Sequence, residues 1–567
     1  MRIDLIWIED AAAEPPAWPC GRVWAAGASP AAVATAVGAL LAQEPAPLCL
    51  FWAASCGAPD AAGAQRLAQT PGDVWHAGLR LGTAGRPALI DFVAPTWPLN
   101  RDPDPDLTAT SWRLSLRACL VRTQVLQRLG GPAPQGDTLA GAALELGRRW
   151  IGYGALCTHA PALAPDTAVA EADPTLADAF WFVRARHGRL WAAWALWRAL
   201  ANGYPRRATL RAFGQAARRA RPATPAPLRT AAEVVSGMAG ENTAVSVLIP
   251  TLERYPTLFD LLDQLRNQSV PPLEIIVVDQ TPPERRQADW PAQFPDLPLR
   301  VIWRAQAGQC SSRNAGLRAA RGEAILFLDD DDRIPPDLIA THLACLAAYN
   351  VDASCGVAEE AGAGPLPADF TYPRASDVFP TNNTLLRRAA LADSGLFDLA
   401  YETGSRADGD LGMRLTLSGR RLMLNPAARV LHLHAPRGGL RAHQARAVTR
   451  AGSRASLRQR DLLAPTEGYL WSRYFTPRQV HEALLIRTVA TLRGSGERVQ
   501  RWGRLARMLA WLPDSWRQNQ ARLRAGQALL AQHPTIPPLE PTATRPALRA
   551  ARPAPRAPGV PHVIRNQ

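Results

Sequence analysis

The chain is predicted to contain an α/β domain with a mostly parallel, Rossmann-like sheet. Three observations predict it. Between residues 244 and 437, short apolar runs alternate with helical patterns, the rhythm of βαβ units. One run, Ala324-Ile-Leu-Phe-Leu-Asp-Asp-Asp-Asp-Arg-Ile-Pro-Pro-Asp337, stops abruptly in four consecutive carboxylates. Polar residues also close the other runs, at the sheet edge where open α/β folds bind ligands.

Taken in order, Ser246-Val-Leu-Ile-Pro250 is a short buried strand. Leu258, Leu261, Leu262 and Leu265 follow at helical spacing. Leu273-Glu-Ile-Ile-Val-Val-Asp279 is a second buried strand that ends in an acid, and Leu299-Arg-Val-Ile-Trp303 is a third. Gly308-Gln-Cys-Ser-Ser-Arg-Asn-Ala-Gly316 opens a helix leading into the acidic strand, Ile325 to Leu328. Right-handed connections bring the ends carrying Thr251, Asp279 and Asp329 to one edge, with Arg313 beside them. Four adjacent acids repel one another and favour a compensating cation. Clustered Asp oxygens suit Mg²⁺ or Mn²⁺, ions that commonly carry phosphates with them.

The segment from about Val245 to His434 resembles a family 2 glycosyltransferase with the GT-A fold. The resemblance rests on Pro250-Thr-Leu-Glu-Arg254, Val277-Val-Asp279, Arg313-Asn-Ala-Gly316, Asp329-Asp-Asp-Asp332, Gly395-Leu-Phe-Asp398 and Ala407-Asp-Gly-Asp-Leu-Gly-Met-Arg-Leu415. It implies an inverting, metal-dependent hexosyltransferase-type enzyme moving a sugar from a nucleotide-sugar donor to a hydroxyl. It implies that Thr251, Glu253 and Asp279 contact base and ribose, Asp330 the ribose, and Arg313 the base or diphosphate. Asp331 would hold the metal, with Asp329 or Asp330 assisting. Asp408 matches the general base, although Ala407 replaces the acid that precedes it in the family. Asp410, two residues on, is suited to capping the helix N-terminus. His432 and His434 share a face if they lie in a strand. They are a metal-site pair or half-buried strand histidines, with His434 the favoured ligand. A sugar-phosphate nucleotidyltransferase is the other enzyme class considered. Its chemistry normally uses a Gly-rich loop, and Thr251-Leu-Glu-Arg-Tyr-Pro256 has no Gly. A non-catalytic glycan- or nucleotide-binding scaffold is the non-enzyme alternative, opposed by the intact acids.

The first half, residues 1–165, reads as a degenerate GT-A-like copy at a spacing of roughly 270 residues. Pro47 to Asp60 aligns without gaps on Ala324 to Asp337, setting Trp52 to Ser55 against the four acids. Leu120 to Gly131 resembles Leu385 to Gly395, Asp137 falls opposite Asp408, and His159-Ala-Pro161 matches His434-Ala-Pro436. The competing explanation is chance similarity in an Ala/Leu/Arg-rich chain. Residues 166–243 read as a helical connector and linker, 438–540 as a basic helical region, and 541–567 as a disordered tail.

All 64 basic residues are Arg, a composition that fits a GC-rich bacterial genome. Residues 437–567 hold 23 Arg against 6 acids, a balance of +17, so with +15 overall the preceding residues carry −2. Trp, Leu and Arg mix in this region's helical stretches, which suits a peripheral contact with an anionic membrane as well as a solvated appendage. No nucleic-acid motif, Walker-type loop or dinucleotide fingerprint occurs, so no nucleic-acid partner is expected. The 8 Cys are scattered and include no CxxC pair, so neither a zinc site nor a disulfide framework is indicated. The N-terminus meets acids too early for a secretory signal, and no apolar run is long enough to span a bilayer. The expected location is the cytoplasm, against the inner face of the membrane. The expected acceptor is a cell-surface glycan or lipid-linked molecule.

Overall fold

The computed structural model describes residues 1–9, 14–77, 98–101, 104–164, 174–235, 243–362, 364–435, 438–442, 462–490 and 498–539. The expected tail, 541–567, lies outside the described residues, as does much of the Arg-rich stretch at 443–461.

The N-terminal half contains β1 (Ile3–Glu9), β2 (Val23–Gly27), α1 (Pro30–Leu41), β3 (Leu48–Ala53), α2 (Ala61–Ala68), β4 (Val74–His76), β5 (Ala109–Thr110), β6 (Ala118–Arg122), α3 (Thr123–Leu129), α4 (Leu139–Gly152) and β7 (Cys157–His159). Its sheet order is β2-β1-β3-β6-β4-β7-β5. The connector supplies α5 (Leu176–His187), α6 (Arg189–Ala201), α7 (Arg206–Arg218) and α8 (Ala231–Val235). The second half contains β8 (Val245–Thr251), α9 (Tyr255–Arg266), β9 (Glu274–Asp279), β10 (Leu299–Trp303), α10 (Gln309–Ala319), β11 (Ala324–Leu328), β12 (Asp332–Arg333), α11 (Leu338–Tyr349), β13 (Ala353–Glu360), β14 (Arg374–Ala375), β15 (Asn383–Arg387), α12 (Leu391–Ser394), α13 (Ala407–Leu417) and β16 (Leu422–His432). Its order is β10-β9-β8-β11-β15-β13-β16-β12, with β14 also paired to β16. The helices α14 (Gly439–Ala442), α15 (Pro465–Tyr474), α16 (Pro477–Ala490) and α17 (Arg498–Gln532) follow.

The strands that define the second sheet are those the apolar runs predict. Every residue of β9 and β11 is buried, as continuous Val/Ile/Leu runs require when helices cover both faces. β10, β9, β8 and β11 are mutually parallel, and β15 is the antiparallel insertion between β11 and β13.

The two sheets share one topology. The order β2-β1-β3-β6-β4-β7 corresponds strand for strand, in parallel and antiparallel sense, to β9-β8-β11-β15-β13-β16. β5 sits antiparallel on β7 as β14 sits on β16. Register fixes the equivalences. The Asp73 amide donates to Leu156 O and its carbonyl accepts from Arg122 N, while Asp352 bonds Arg421 O and Arg387 N in the same way. Each of these side chains also accepts the amide of its partner residue, at 2.8 Å in both cases. From β5 onward, equivalent positions lie 265 residues apart, as from Gly154 to Gly419. That offset pairs Glu145 with Asp410 and Arg149 with Arg414. Both acid–arginine pairs span one helical turn, and both arginines reach a backbone carbonyl at the end of the preceding helix, Leu129 or Ser394.

The register corrects three of the sequence matches. Pro47 O accepts from Thr123 N and Glu323 O from Arg388 N, so Pro47 matches Glu323 and not Ala324. The acids Asp329 to Asp332 therefore face Ala53, Ala54, Ser55 and Cys56. The equivalent of Asp408 is the buried Ala143, not Asp137, and His159 corresponds to Leu424, not His434. Gly27 stands at the place of Asp279 and Glu9 at that of Thr251.

The halves pack through equivalent surfaces, with α4 against β14 and α13 against β5. Gly154 (φ +98°) leaves no room for a Cβ, which would lie 2.7 Å from Pro373 O. Its equivalent Gly419 (φ +81°) faces Thr108 O in the same way, at 2.8 Å. Thr108 and Pro373 are themselves equivalents, so the pairing is pseudo-two-fold. Tyr372 donates to Gly152 O at 2.7 Å and stacks on Tyr153, and Arg229 pairs with Asp73 while lying over Tyr349. On the far side, α15 is bound to the second half. Tyr469 donates to Asp398 at 2.6 Å and Tyr474 to Asp410 at 2.7 Å. A buried ion pair, Arg198 to Glu482, ties α6 to α16.

Candidate active site

The parallel strands β8, β9 and β11 deliver Thr251, Asp279 and the acid run to one edge, with Thr251 directly paired to Asp279. The edge is held by side chains that fix one another. Asp279 accepts from Tyr255 Oη at 2.9 Å and from Thr281 N at 2.8 Å. Glu253 adopts φ +55°, donates its amide to Thr281 Oγ1, and meets Arg285 at 3.1 Å.

The motif residues have legible packing reasons. A Cβ at Gly316 would lie 2.1 Å from the Leu248 side chain, so α10 can approach β8 only at a glycine. Asn314 donates to Phe397 O at 2.8 Å and accepts from Phe397 N at 2.9 Å, clamping α10 to the Gly395-Leu-Phe-Asp398 turn. Glu402 accepts from Cys310 N and Ser311 N at the start of α10, where the helix dipole favours a carboxylate. Donor-side and acceptor-side segments are thereby joined.

The four acids are not equivalent. Asp329, about a third exposed at its side chain, pairs with Arg313 at 2.9 Å. Asp330 is buried, accepts from Thr251 Oγ1 at 2.7 Å and from Arg254 at 3.1 Å, and burial pushes its carboxyl up to about 7 against the pull of Arg254. Asp331 meets Arg254 at 3.1 Å and accepts from Ala435 N at 2.7 Å. Its Oδ1 is buried and accepts no hydrogen bond; His432 Nδ1 lies 3.7 Å from it. Asp332 is bonded to His432 Nδ1 at 2.9 Å and to Asp329 N at 2.8 Å. Burial alone would lower His432, but the carboxylates of Asp332, Asp329 and Asp331 outweigh it and raise the imidazole to about 9.

A divalent ion fits this donor set. Buried, clustered carboxylate oxygens suit a hard cation, and the unbonded Oδ1 of Asp331 is an acceptor with no protein donor. Asp329, two residues earlier, keeps about a third of its side chain exposed beside Arg313. Of the two histidines, His432 faces the acids. His434, the expected ligand, has φ +54°, pairs with Glu360, and sets its ring edge-to-face on His432 at 4.5 Å. Ligand atoms of Glu360, His432 and His434 lie within 4.8 Å of one another.

The structure also separates Asp408 from Asp410. Asp408 is exposed in the first turn of α13 and, among the described residues, is bonded only to the adjacent Gly409 N at 2.8 Å. Asp410 caps nothing. It is buried, bonded to Arg414 at 2.8 Å and to Tyr474 Oη at 2.7 Å. Its carboxylate is committed to holding α13 on α15, whereas that of Asp408 faces solvent.

Arg254, Glu402 and His432 as the acid-facing histidine are the residues that the sequence reading did not single out. Arg254 had a signal: a cation three residues beyond Thr251, at the same sheet edge as four acids. Glu402 had none.

Residues 246–392 match the family described as glycosyl transferase family 2. Among curated proteins, the uncharacterized glycosyltransferase YwdF of Bacillus subtilis is 28% identical over 27% of this chain and 62% of its own length. The uncharacterized glycosyltransferase EpsJ of the same organism is 36% identical over 16% of this chain and 26% of its own. The chain thus spans less than two thirds of either relative. Among solved structures, the mannosyltransferase PcManGT from Pyrobaculum calidifontis, in complex with GDP-Man and Mn²⁺, is 20% identical at a TM-score of 0.35, covering 53% of this chain and 91% of that one. The segment 246–392, bearing the strand-end acids and the Arg-Asn-Ala-Gly helix, is thus the part of the chain that matches the glycosyl transferase family 2.

Proposed function

We propose that this chain is an inverting, metal-dependent glycosyltransferase that moves a sugar from a nucleotide-sugar donor to a hydroxyl of a glycan or lipid-linked acceptor in cell-surface glycan synthesis. The observation that carries the reading is the buried, unbonded Oδ1 of Asp331 inside a four-carboxylate strand end. Mg²⁺ or Mn²⁺ held by Asp331, with Asp329 assisting, would stabilise charge on the departing diphosphate. Arg313 and Arg254 border the same cluster and oppose its charge. Thr251, Glu253 and Asp279 line the edge suited to base and ribose, and Asp330 lies beside Thr251 for the ribose. Asp408 accepts the proton of the acceptor hydroxyl, and its exposed position leaves that oxygen accessible.

The N-terminal half serves as a non-catalytic partner domain. It has Ala53 to Cys56 where the acids stand, Gly27 for Asp279 and Ala143 for Asp408. Among the described residues, no helix is long and apolar enough to cross a membrane. A cytoplasmic protein in peripheral contact with the inner face of a membrane, partly through its Arg-rich C-terminal region, fits this picture. The test is a thermal-shift screen of nucleotide-sugars with and without Mn²⁺. One nucleotide class should raise Tm only with metal, by mass action on the folded state. Equal shifts without metal would remove the metal from the mechanism.

A further inference from the structure

The connector has a surface that the transferase reading does not use. Residues 179–232 contain 11 Arg and neither Asp nor Glu. Several of these arginines are spent internally: Arg186 pairs with Glu145, Arg198 with Glu482, Arg219 with Asp178 and Arg229 with Asp73. Others point outward. Arg206, Arg207 and Arg211, in the first two turns of α7, are exposed and have no ion pair among the described residues.

The same hairpin carries large apolar side chains that the fold leaves in water. Leu190 is 75% exposed, Trp197 50% and Leu210 54%. Leu190 and Trp197 are seven residues apart on α6 and so share a face. Trp197 packs on Trp194, with ring centroids 4.8 Å apart. The short turn from Ala201 to Arg206 puts Trp197 of α6 and the Arg206, Arg207, Leu210 and Arg211 set of α7 at one end of a helical hairpin. Exposed Trp and Leu together with the arginines of α7, which have no ion pair among the described residues, give the hairpin an amphipathic character of the kind that lies in a lipid headgroup layer.

We propose that the α6–α7 hairpin is a membrane-docking surface for an anionic bilayer. Complementary charge names the occupant: the face is basic throughout, and its apolar groups are those that bury at an interface. A bound nucleic acid would use the arginines but leave Leu190 and Leu210 in water. The hairpin is also tied to the acceptor side by successive ion pairs. Arg198 of α6 meets Glu482 of α16, Arg487 of α16 meets Glu467 of α15 at 3.2 Å, and Glu467 meets Arg406 at 2.9 Å, two residues before Asp408. The proposal does not depend on the transferase reading, because its test reads partition and not turnover.

The experiment is flotation of the full chain with phosphatidylglycerol-containing and pure phosphatidylcholine vesicles, at low and high salt. Wild type should float with the anionic vesicles only, and less at high salt. The triple variant R206Q/R207Q/R211Q should lose about a hundredfold in partition. The variant L190S/W197S should lose about tenfold and keep its salt dependence. All five are exposed positions, so unchanged thermal unfolding verifies the fold of each variant. Partition unchanged in either variant would assign the contact to the C-terminal region and overturn the proposal. So would equal binding to neutral vesicles, displacement of the vesicles by RNA, or a wild-type dimer that L190S/W197S breaks.

Discussion

Replacing Asp408 and Asp410 in turn by Asn separates catalysis from scaffolding at one helix end. Asp410 is fully buried and bonded to Arg414, whose side chain is only 9% exposed, and to Tyr474 of α15. Asn keeps the shape and removes the charge, leaving a buried guanidinium whose remaining partner is Ser394 O. Breaking one member of such a pair costs about 3 kcal/mol. For a domain of this size that lowers Tm by about ten degrees. Asp408 is exposed with no tertiary partner among the described residues, so Asp408→Asn should leave stability within about 0.5 kcal/mol of wild type. It should instead lower kcat at least about a hundredfold, with nucleotide affinity unchanged. Calorimetry and initial rates on the two purified variants give both numbers. A stable but inactive Asp410→Asn beside an active Asp408→Asn would refute the assignment and make Asp410 the base.

Three further outcomes are expected. Asp331→Asn should abolish Mn²⁺-dependent binding of nucleoside diphosphate and turnover, measured by titration calorimetry and initial rates; near wild-type turnover at saturating donor would sink the metal assignment. Gly154→Ala and Gly419→Ala should each destabilise the contact between the halves by at least about 1 kcal/mol, since each forces a left-handed Cβ onto a carbonyl. Equivalent sites should show similar losses in denaturant unfolding, and an undisturbed midpoint would disprove the pseudo-two-fold packing. His342 is buried between Ser354 Oγ at 2.8 Å and Asn383 Oδ1 at 2.9 Å, and burial lowers it to about 4 despite those bonds. The unfolded state therefore binds the proton first. Stability is intact above about 6.5 and falls by about 3 kcal/mol as the pH drops to 4, a slope that His342→Gln should flatten in urea titrations from pH 7 to 4.

The second sheet was legible because its strands are buried on both faces and so read as unbroken apolar runs bounded by acids or Pro. The site edge followed from the handedness of the crossovers. What escaped was register. In the first half, Pro47 and Leu48 both fit an apolar strand start, and only backbone pairing shows the one-residue slip against β11. The Asp137 and His159 matches failed for a related reason: Asp–Asp and His–His identity outweighed helix and strand position, while the true equivalents, Ala143 and Leu424, share no chemistry with their partners. Two-residue alternation holds only inside a strand. β16 ends at His432, so the backbone at His434 is free to turn left-handed and take that ring to Glu360. Glu402 was invisible because its value lies in reaching a helix end some ninety residues earlier.

The fused pairing of the two halves has a consequence for dilution and for change. A dimer held by the α4–β14 and α13–β5 contacts would come apart as it is diluted. Here the connector keeps each half at a fixed, high local concentration of the other, so the contact survives at any protein concentration. Identical subunits also share every substitution, so a symmetric dimer cannot surrender the acids of one cleft and keep those of the other. Two halves on one chain can, and only the second carries the four acids: Ala53 to Cys56 stand opposite Asp329 to Asp332.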